Sequence, residues 1–541
     1  MINRKRNLMV LFIVLFGANA FAYTGEVVDS FKNPGNYATG LTFDGRYLWM
    51  ADRQADLLFQ LDPQNGKIIR SIPSPGYWPT GLAWDGKHLW NADIKGGIPL
   101  AENYNGKIYK INPENGTILH TVIAPTNRPR GLTWDGKYLW CIDESGGKII
   151  QFDPDDGTTI RSINAPSIDS RGLTYDGKYL WVSDRRRDEI YMIDPSDGSV
   201  IIISDAPGQF TRGLAWIGNN LWATDSQEDM LFKLKVNDGE KYVRTNMRKE
   251  KIDYTYQITN YGPGEVKKAD IYLAIPSNRL TQEITGEIKY NPDYTNVVID
   301  KWNQSTAHYE LKNLKAGESK TIHMVTTTKL WDVRYFIFPD QVGTMEEIPK
   351  KISTLYLQNN EKYQLNHPTI QDAVKKAVGN EENPYWIVRN IFNYVIDNIY
   401  YKMEGGWNTA PAVLARGNGS CSEYSFVFIS MCRAAGVPAR YVGSVVIRSD
   451  EASMDDVFHR WVEVYLPDWG WIPIDPSRGD QSKPRDQALC IGGLANKFLI
   501  TTQSGGDSEI MGWTYNSNEF IVTDPKTNVV VEYFADWEPI Q

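Results

Sequence analysis

Cysteine is scarce in this sequence. The chain has 541 residues and four cysteines, which are Cys141, Cys421, Cys432 and Cys490. They show neither the dense spacing of a disulfide scaffold nor the paired CxxC of a zinc site, which excludes both classes. If Cys421 and Cys432 share a helix, they lie about 16 Å apart along its axis. That separation exceeds the limit of about 7 Å for a disulfide, so at least one thiol is predicted to be free.

Long hydrophobic runs are missing except at the N-terminus. There MINRKR supplies three positive charges, LMVLFIVLF is apolar, and AFA offers small residues where a signal peptidase would cut. This pattern predicts a signal peptide over residues 1–22 and export to the periplasm or the medium. A membrane anchor is disfavoured because the apolar run falls well short of the about 20 residues that span a bilayer. No transmembrane segment is expected in the mature chain.

An excess of positive charge is absent as well. The formal net charge is −9, and it is −12 without the three basic residues of the signal peptide. Acidic and basic residues are interspersed, so no basic stripe is available to replace the counterions of a nucleic acid. Nucleic acid is therefore excluded as a partner. At about 150 residues per domain, the length predicts three or four domains.

The first part of the chain repeats one motif at a spacing of 41 residues, with a single interval of 50. The five copies are GLTFDGRYLW (Gly40), GLAWDGKHLW (Gly81), GLTWDGKYLW (Gly131), GLTYDGKYLW (Gly172) and GLAWIGNNLW (Gly213). The excess in the long interval falls in KGGIPLAENYNGK, which predicts a loop insertion. Each unit has three short strand-like runs, a D-G or N-G turn and a fourth strand, which is the rhythm of a propeller blade.

The sequence also indicates how the circle closes. TGEVVDSFKNPG, beginning at Thr24, matches NGKIIRSIPSPG, beginning at Asn65, so it is the fourth strand of a unit without the first three. The opening strand is therefore predicted to complete the last blade of a five-bladed β-propeller over residues 23–238. A degenerate sixth blade after Val236 is the alternative. The repeats resemble those of secreted bacterial propellers of the NHL or YVTN type.

Each unit places an aspartate shortly after its tryptophan. A ring of carboxylates could bind a cation, but hydrogen bonds within each blade are the favoured interpretation because a repeat retains what its own blade needs. The tryptophans likewise favour packing between blades over a ligand cage. The residues are Asp52, Asp93, Asp143, Asp184 and Asp225, with Trp49, Trp90, Trp140, Trp181 and Trp222. We predict no cofactor and no metal, and nothing in the sequence supports a bound calcium ion.

The pattern changes at about Lys241 to longer alternating runs with a turn every ten residues or so. That spacing predicts a β-sandwich over residues 239–348. The TNYGPG turn and the LAIP strand resemble those of an Ig-like sandwich, and His308 and His323 are interpreted as structural. Helical periodicity begins only after about residue 366, where two amphipathic helices precede the segment that carries the chemistry.

A cysteine at the start of a helix is the first candidate functional residue. In RGNGSCSEYSFVFISMCRAAGVPARYV, Ser420 and Glu423 form the S-x-x-E pattern of a capping box, which makes Cys421 the first helical residue. The unpaired backbone N–H groups and the positive end of the helix dipole favour an anion there, so the thiol should ionise readily. The helix is predicted to end at Gly436. This is the position of a nucleophile.

A histidine and a carboxylate complete the candidate site. His459 is the one histidine after Cys421, and it opens the hairpin pattern HRWVEVYLPDWGWIPID. The returning strand brings Asp475 back to within a few residues of His459. An imidazole can hold and protonate a thiolate system, and a carboxylate can fix its tautomer and stabilise its charged form. Cys421, His459 and Asp475 are therefore predicted to be the catalytic residues.

Four stretches carry a resemblance to a known family. In chain order they are G-S-C-S-E-Y-S, C-R-A-A-G-V-P-A-R-Y-V, H-R-W-V-E-V-Y and G-W-I-P-I-D-P. Together they resemble the transglutaminase-like superfamily. The resemblance implies a papain-like α+β core over residues 349–541, with Cys421 as nucleophile, His459 as general base and acid, and Asp475 as the orienting residue. The oxyanion would be stabilised by the backbone N–H of Cys421 and one further donor.

The neighbouring polar and thiol residues receive simpler interpretations. The other three cysteines are read as inert packing. Glu463 could be a second carboxylate of the site, but it is interpreted as a strand residue bonded to the neighbouring backbone. Arg440 and Arg460 are interpreted as salt-bridging or surface residues. Trp407, in a GGW motif, could line the site and is given no role.

The predicted chemistry is acyl transfer through a cysteine thioester on a protein or peptide substrate at the cell surface or outside the cell. The resemblance favours hydrolysis of peptide or isopeptide bonds, since bacterial members of the superfamily are more often peptidases or amidases. Amine incorporation or protein cross-linking is one alternative. An arylamine acyltransferase, suggested by RGNGSCSE, is disfavoured by the H-x-W-x-E strand. A non-catalytic scaffold that binds through its propeller is the alternative from another class.

Overall fold

The structure is a computed structural model that describes residues 23–94, 106–237, 239–403, 406–448 and 453–540. The signal peptide predicted over residues 1–22 lies outside these ranges, and so does most of the KGGIPLAENYNGK insertion. Within these ranges, no helix is long and apolar enough to cross a membrane.

The first twenty strands form a five-bladed propeller. They are β1 (Val27–Lys32), β2 (Ala38–Phe43), β3 (Leu48–Asp52), β4 (Leu57–Leu61), β5 (Ile68–Pro73), β6 (Pro79–Trp84), β7 (Leu89–Asp93), β8 (Lys107–Ile111), β9 (Ile118–Ile123), β10 (Pro129–Trp134), β11 (Leu139–Asp143), β12 (Lys148–Phe152), β13 (Thr159–Asn164), β14 (Ser170–Tyr175), β15 (Leu180–Asp184), β16 (Glu189–Ile193), β17 (Val200–Asp205), β18 (Thr211–Ile217), β19 (Asn220–Asp225) and β20 (Met230–Lys235). Four blades are β2–β5, β6–β9, β10–β13 and β14–β17. The fifth is β18–β20 with β1 as its outer strand, which confirms the predicted closure.

The glycine that opens each repeat lies where neighbouring inner strands approach one another around the axis. A Cβ on Gly40 would lie 2.5 Å from the carbonyl oxygen of Thr80, and one on Gly131 would lie 2.6 Å from the backbone nitrogen of Leu173. Gly213 makes the same approach to Gly40, so the ring closes with the same contact that builds it. The repeated glycine is therefore required by close backbone approach.

The aspartates that follow the blade tryptophans are hydrogen-bonded within their own blades. Asp52 accepts the backbone N–H groups of Tyr37 and Gln54 at 2.8 and 2.9 Å. Asp225 accepts the N–H group of Phe210 at 2.7 Å. Backbone N–H groups also bond to Asp93, Asp143 and Asp184. These hydrogen bonds confirm the prediction that each aspartate is bonded within its own blade.

The blade tryptophans are buried between blades, as the sequence predicts. Trp49 packs against Leu82 of the next blade, and its indole Nε1 donates to Asp44 of the D-G turn at 2.9 Å. The same bond is made by Trp90, Trp140 and Trp181. In the fifth unit Ile217 takes the place of the aspartate, and Nε1 of Trp222 has no hydrogen-bond partner among the described residues. The aspartate of the D-G turn thus accepts a hydrogen bond from the tryptophan of its own blade.

Seven strands follow the propeller: β21 (Tyr242–Gly262), β22 (Val266–Ala274), β23 (Gln282–Ile284), β24 (Lys289–Asn291), β25 (Asn296–Ile299), β26 (Ser305–Leu314) and β27 (Ser319–Tyr335). The C-terminal part then contains α1 (Lys350–Tyr356), α2 (Pro368–Val378), α3 (Pro384–Asn398), β28 (Tyr400–Tyr401), α4 (Ala410–Arg416), β29 (Asn418–Gly419), α5 (Cys421–Ala434), β30 (Ala439–Val446), β31 (Ser453–Asp455), β32 (His459–Leu466), β33 (Gly470–Ile474), α6 (Pro484–Ala488), β34 (Gly493–Leu494), β35 (Phe498–Ser504), β36 (Ser517–Thr523) and β37 (Asn528–Pro539).

Two sheets form the sandwich, and both recruit strands from the C-terminal part. One has the order β23-β27-β21-β37-β31, and the other has the order β25-β26-β22-β36. Tyr254, Ile271 and Trp537 share the core between them. The sequence boundary at residue 349 assigned β36 and β37 to the C-terminal domain, and their pairing places them in the sandwich instead. The physical reason is that β21 and β22 each have a free edge that only these distant strands fill.

The C-terminal domain is built on a sheet of order β33-β32-β30-β35 with α5 packed across it. This domain contacts the side of the fourth blade. Arg485 forms a two-pronged ion pair with Glu189, at 2.6 and 2.9 Å. Nη1 of Arg389, a residue only 2% exposed, donates to the carbonyl oxygen of Val200 at 2.9 Å. The propeller and the domain that holds the candidate site therefore meet through polar contacts, of which that of Arg389 is buried and that of Arg485 is partly buried.

Candidate active site

Cys421 is the first residue of α5, as the capping pattern predicts. Glu423 makes the hydrogen bond that the glutamate of a capping box contributes, because its Oε2 accepts the backbone N–H of Ser420 at 3.1 Å. The same fully buried carboxylate accepts the backbone N–H of Asn408 at 3.0 Å and a hydrogen bond from Arg416 at 2.9 Å. Glu423 thus holds the approach to the helix in place, and Cys421 faces the positive end of the helix dipole.

The hairpin of β32 and β33 brings His459 and Asp475 together. Val462 lies opposite Ile474, and the strands reverse at Gly470, opposite Leu466. In this register Nε2 of His459 lies 2.7 Å from Oδ2 of Asp475. The sequence left this contact open because a hairpin register is not determined by its pattern alone. The observed contact is the geometry that an orienting carboxylate needs.

The environment of Asp475 and His459 fixes both side chains. Oδ1 of Asp475 accepts hydrogen bonds from the Ser477 hydroxyl at 2.9 Å and from the backbone N–H of Arg478 at 3.1 Å. The imidazole of His459 stacks on Phe498, with ring centres 5.6 Å apart and an angle of 27° between the ring planes. Because Nε2 is engaged by Asp475, Nδ1 is the ring nitrogen that remains for Cys421.

The charges of the three groups support one another. Burial disfavours the thiolate, but the hydrogen bond and positive charge of His459 outweigh burial and lower the pKa of the Cys421 thiol. Burial also disfavours the imidazolium, and Asp475 together with Cys421 raises the pKa of His459 to about 10. The pKa of Asp475 is lowered, because the charge of His459 outweighs burial. The arrangement therefore favours a thiolate and imidazolium pair near neutral pH.

Arg460 is the site residue that the sequence reasoning missed. It was interpreted as salt-bridging or exposed, and this was wrong: Arg460 is fully buried and has no carboxylate partner among the described residues. Its guanidinium lies over the rings of Trp407, Phe426, Tyr441 and Tyr515 at 4.3 to 5.2 Å. Its backbone N–H and its charge both help to lower the pKa of Cys421.

A signal for Arg460 was present in the strand pattern. The alternation along β32 puts His459 on one face of the strand and Arg460 on the other. Arg460 shares its face with Val462, Val464 and Leu466. That second face is entirely apolar apart from Arg460, which indicates burial. A cation on such a face requires compensation, and here aromatic rings supply it.

The remaining candidates keep simpler roles. Arg440 forms an ion pair with Glu463 at 2.7 Å, which agrees with the salt-bridging interpretation of Arg440. The prediction that Glu463 bonds to the neighbouring backbone was wrong, because its carboxylate bonds to the side chains of Arg440 and Gln503. Trp407 lies beside Arg460 and stacks on Tyr515, so it lines the same pocket of aromatic rings. The four cysteines are free. Burial raises the pKa of the thiols of Cys141 and Cys432, and that of Cys490 to about 12.

Metal ligation finds no support in the described part of the chain. No group of three or more histidine, cysteine, aspartate or glutamate side chains there could hold a metal ion. His308 bonds to Asp270 at 2.9 Å, and His323 lies 3.1 Å from Asp253. Both histidines thus have partners within the sandwich.

Residues 371–476 match the family model of the transglutaminase-like superfamily. The match begins within α2 and ends one residue after Asp475, so it contains Cys421, His459 and Asp475. The C-terminal part of this chain therefore contains a transglutaminase-like domain.

Two proteins of known sequence share low similarity with this chain. An uncharacterized protein of Bacillus subtilis, YebA, is 24% identical over 156 residues, which are 27% of this chain and 19% of YebA. An uncharacterized protein of Haemophilus influenzae is 23% identical over 253 residues, which are 39% of this chain and 64% of that protein. The chain spans less than two thirds of the length of either relative.

Two solved structures show likeness to part of the chain. A protein of Cytophaga hutchinsonii that is provisionally assigned as a cysteine protease has 16% identity and a TM-score of 0.40, covering 56% of this chain and 93% of that chain. Virginiamycin B lyase of Staphylococcus aureus has 21% identity and a TM-score of 0.25, covering 38% of this chain and 68% of that chain. Both TM-scores lie below 0.5, so neither activity is transferred to this chain.

Proposed function

We propose that the transglutaminase-like domain is a cysteine enzyme that hydrolyses amide bonds of a protein or peptide substrate through a thioester on Cys421. The observation that carries the proposal is the 2.7 Å contact between His459 and Asp475 next to a cysteine at a helix N-terminus. In this proposal Cys421 is the nucleophile, His459 is the general acid and base, and Asp475 is the orienting residue.

The reaction follows from the charge state of the pair. The Cys421 thiolate attacks the amide carbonyl carbon, and the oxyanion is stabilised by the backbone N–H of Cys421 and a further donor. The imidazolium of His459 gives its proton to the leaving amine, which departs and leaves a thioester. A water molecule then loses a proton to His459 and attacks the thioester. The acid product leaves, and the thiolate and imidazolium are restored.

The side chains that precede the nucleophile support a polypeptide substrate. Cys421 is 9% exposed, whereas Cys432 on the same helix is fully buried. The segment before the nucleophile exposes three side chains, those of Tyr400, Tyr401 and Met403, by 46 to 63%. Burial and the negative charge of the Cys421 thiolate raise the pKa of the Tyr401 hydroxyl. Exposed apolar side chains close to the nucleophile in sequence suit contact with an extended peptide.

Two further parts of the proposal concern the rest of the chain. We infer that the propeller is a binding platform that presents substrate to the enzyme, supported by the polar contacts of Arg389 and Arg485 with the fourth blade. Export to the periplasm or the medium is also a proposal, supported by the composition of residues 1–22.

The test is to identify the acyl acceptor. The mature chain is incubated with a peptide library of diverse sequence in H₂¹⁸O, with and without a primary alkylamine, and the products are read by mass spectrometry. Hydrolysis predicts new carboxyl groups that carry ¹⁸O and that stay the major product when the amine is present. The Cys421→Ala variant is the matched control and should form neither product.

Either of two outcomes would overturn the hydrolase proposal. Peptides labelled mainly with the amine would identify an amine-incorporating transglutaminase. Equal product from the wild type and the Cys421→Ala variant would show that Cys421 is not the nucleophile.

A further inference from the structure

The axis of the propeller carries a group of arginines that the amide hydrolysis does not use. The residue before the glycine of each repeat lines one cavity at the axis, and these five residues are Thr39, Thr80, Arg130, Arg171 and Arg212. The cavity has a volume of about 10 Å³, which admits one water-sized group. We call these three arginines and two threonines the axial ring.

The two threonines show what the fold needs at this position. The hydroxyl of Thr39 donates to the carbonyl oxygen of Pro79 in the next blade at 2.9 Å. The hydroxyl of Thr80 donates to that of Pro129 at 2.9 Å. A short polar side chain is therefore sufficient to connect neighbouring blades. The arginines in the other three blades are not required for closure of the propeller, so their charge calls for another explanation.

The carboxylates near the axial ring do not neutralise it. Glu144 lies between Arg130 and Arg171, at 2.6 and 2.5 Å. Arg212 donates to the hydroxyl groups of Ser226 and Tyr37 at 2.8 and 2.9 Å, and it has no carboxylate partner in the described ranges. It is only 7% exposed. One buried guanidinium of the ring is therefore left without a counter-charge.

Arg171 adds an unused donor. It is also 7% exposed, and its Nε makes no hydrogen bond within the described residues. Its two terminal nitrogens are taken by Glu144 and Asp169. A buried donor without a partner is costly unless a ligand or water satisfies it.

Like charges act on one another across the ring. Burial together with Arg171 and Arg212 lowers the pKa of Arg130 to about 10, although Glu144 opposes the change. Burial lowers the pKa of Arg212, and the positive charges of Arg53 and Arg185 lower it as well. The ring is thus a concentration of positive charge in a chain whose net charge is −9. An anion placed there would relieve the repulsion.

We propose that the axial ring is a binding site for a carboxylate or phosphate group of a ligand. One oxygen of the group enters the cavity and accepts hydrogen bonds from Arg171 and Arg212. The planar guanidinium fork matches the geometry of such oxyanions. The site is separate from Cys421, and its occupancy does not depend on the hydrolase proposal.

The experiment measures binding of inorganic phosphate to the mature chain by the line width of its ³¹P resonance, at constant ionic strength set with sodium chloride. The wild type should broaden the resonance in a saturable way. Arg212→Thr, which installs the residue found at this position in two other blades, should weaken binding by about tenfold to hundredfold, as expected for loss of hydrogen bonds to a charged group. Arg186→Thr, an exposed arginine with the same change of charge, should bind as the wild type does.

Competition with sodium acetate separates the two sources of the oxyanion. Displacement of phosphate by a smaller concentration of acetate identifies a carboxylate ligand, and resistance to acetate identifies a phosphate. The proposal is overturned if the wild type does not broaden the ³¹P resonance of phosphate in sodium chloride. The axial ring would then have no preference for phosphate over chloride. It is also overturned if Arg186→Thr weakens binding as much as Arg212→Thr does.

Discussion

Replacement of Cys421 by alanine is expected to lower kcat/KM for amide hydrolysis by roughly 10⁴-fold or more. The reason is that no other thiol can take its place beside His459. Cys432 is fully buried in the same helix, and burial raises the pKa of its thiol. The measurement is steady-state hydrolysis of a peptide amide selected from the library experiment, with circular dichroism to show that the variant is folded.

The matched control is Cys432→Ala, which removes a thiol from the same helix without touching the site. It should keep kcat/KM within about twofold of the wild type, since large catalytic losses come from groups that act on the reacting atoms. Retention of most activity by the Cys421→Ala variant would contradict the assignment of the nucleophile. Loss of activity in both variants with intact folding would contradict it too, because it would point to the helix and not to one sulfur.

Replacement of Asp475 by asparagine is expected to lower kcat by roughly 10² to 10⁴-fold. The upper figure is the loss measured for the corresponding change in a serine protease. Asparagine can keep the contact with His459 but removes the negative charge that stabilises the imidazolium. KM should change little, because Asp475 is 4% exposed and contacts His459, Ser477 and Arg478.

Asp480→Asn is the control for this change. Asp480 lies in the same loop and accepts a hydrogen bond from the Tyr424 hydroxyl at 3.1 Å. Its replacement removes one negative charge at a similar place and should leave kcat within about threefold of the wild type, the scale of a change outside the site. Equal losses in the two variants would mean that net charge in the loop matters and that the contact with His459 does not.

The propeller was predictable because each blade is encoded locally. A unit of 41 residues contains its own turn aspartate, tryptophan and opening glycine, and each of these makes contacts within its blade or with the next one. The closure was also visible, since the stretch from Thr24 repeats the fourth strand of a unit. Five blades follow from counting such units.

The sandwich was less predictable because its pairings are distant in sequence. Strand β21 pairs with β37, which lies more than 260 residues later, and β22 pairs with β36. An alternating pattern shows that a segment is a strand but does not say which edge it completes. The contact of Arg389 with Val200 could not be predicted either, since the local sequence around each residue does not indicate the other as its partner.

The candidate site was predicted from local signals and completed by tertiary contacts. The helix start at Cys421 and the hairpin of His459 and Asp475 each have a sequence pattern. The position of Arg460 behind the nucleophile depends on how β32 packs on α5, and that packing has only an indirect signal in the apolar face of the strand.

The most direct test of a thiolate paired with His459 is the pH dependence of iodoacetamide alkylation of each cysteine in the mature chain, read by mass spectrometry. A free thiol reacts mainly near or above its pKa of about 8.5. The lowered pKa of Cys421 predicts alkylation of this thiol at a lower pH than that of a free thiol, while Cys432 stays unmodified. His459→Ala should shift the reaction of Cys421 back to higher pH. If Cys421 reacts no faster than the other cysteines, or if His459→Ala leaves its profile unchanged, the thiolate and imidazolium pair is not formed and the enzyme proposal fails.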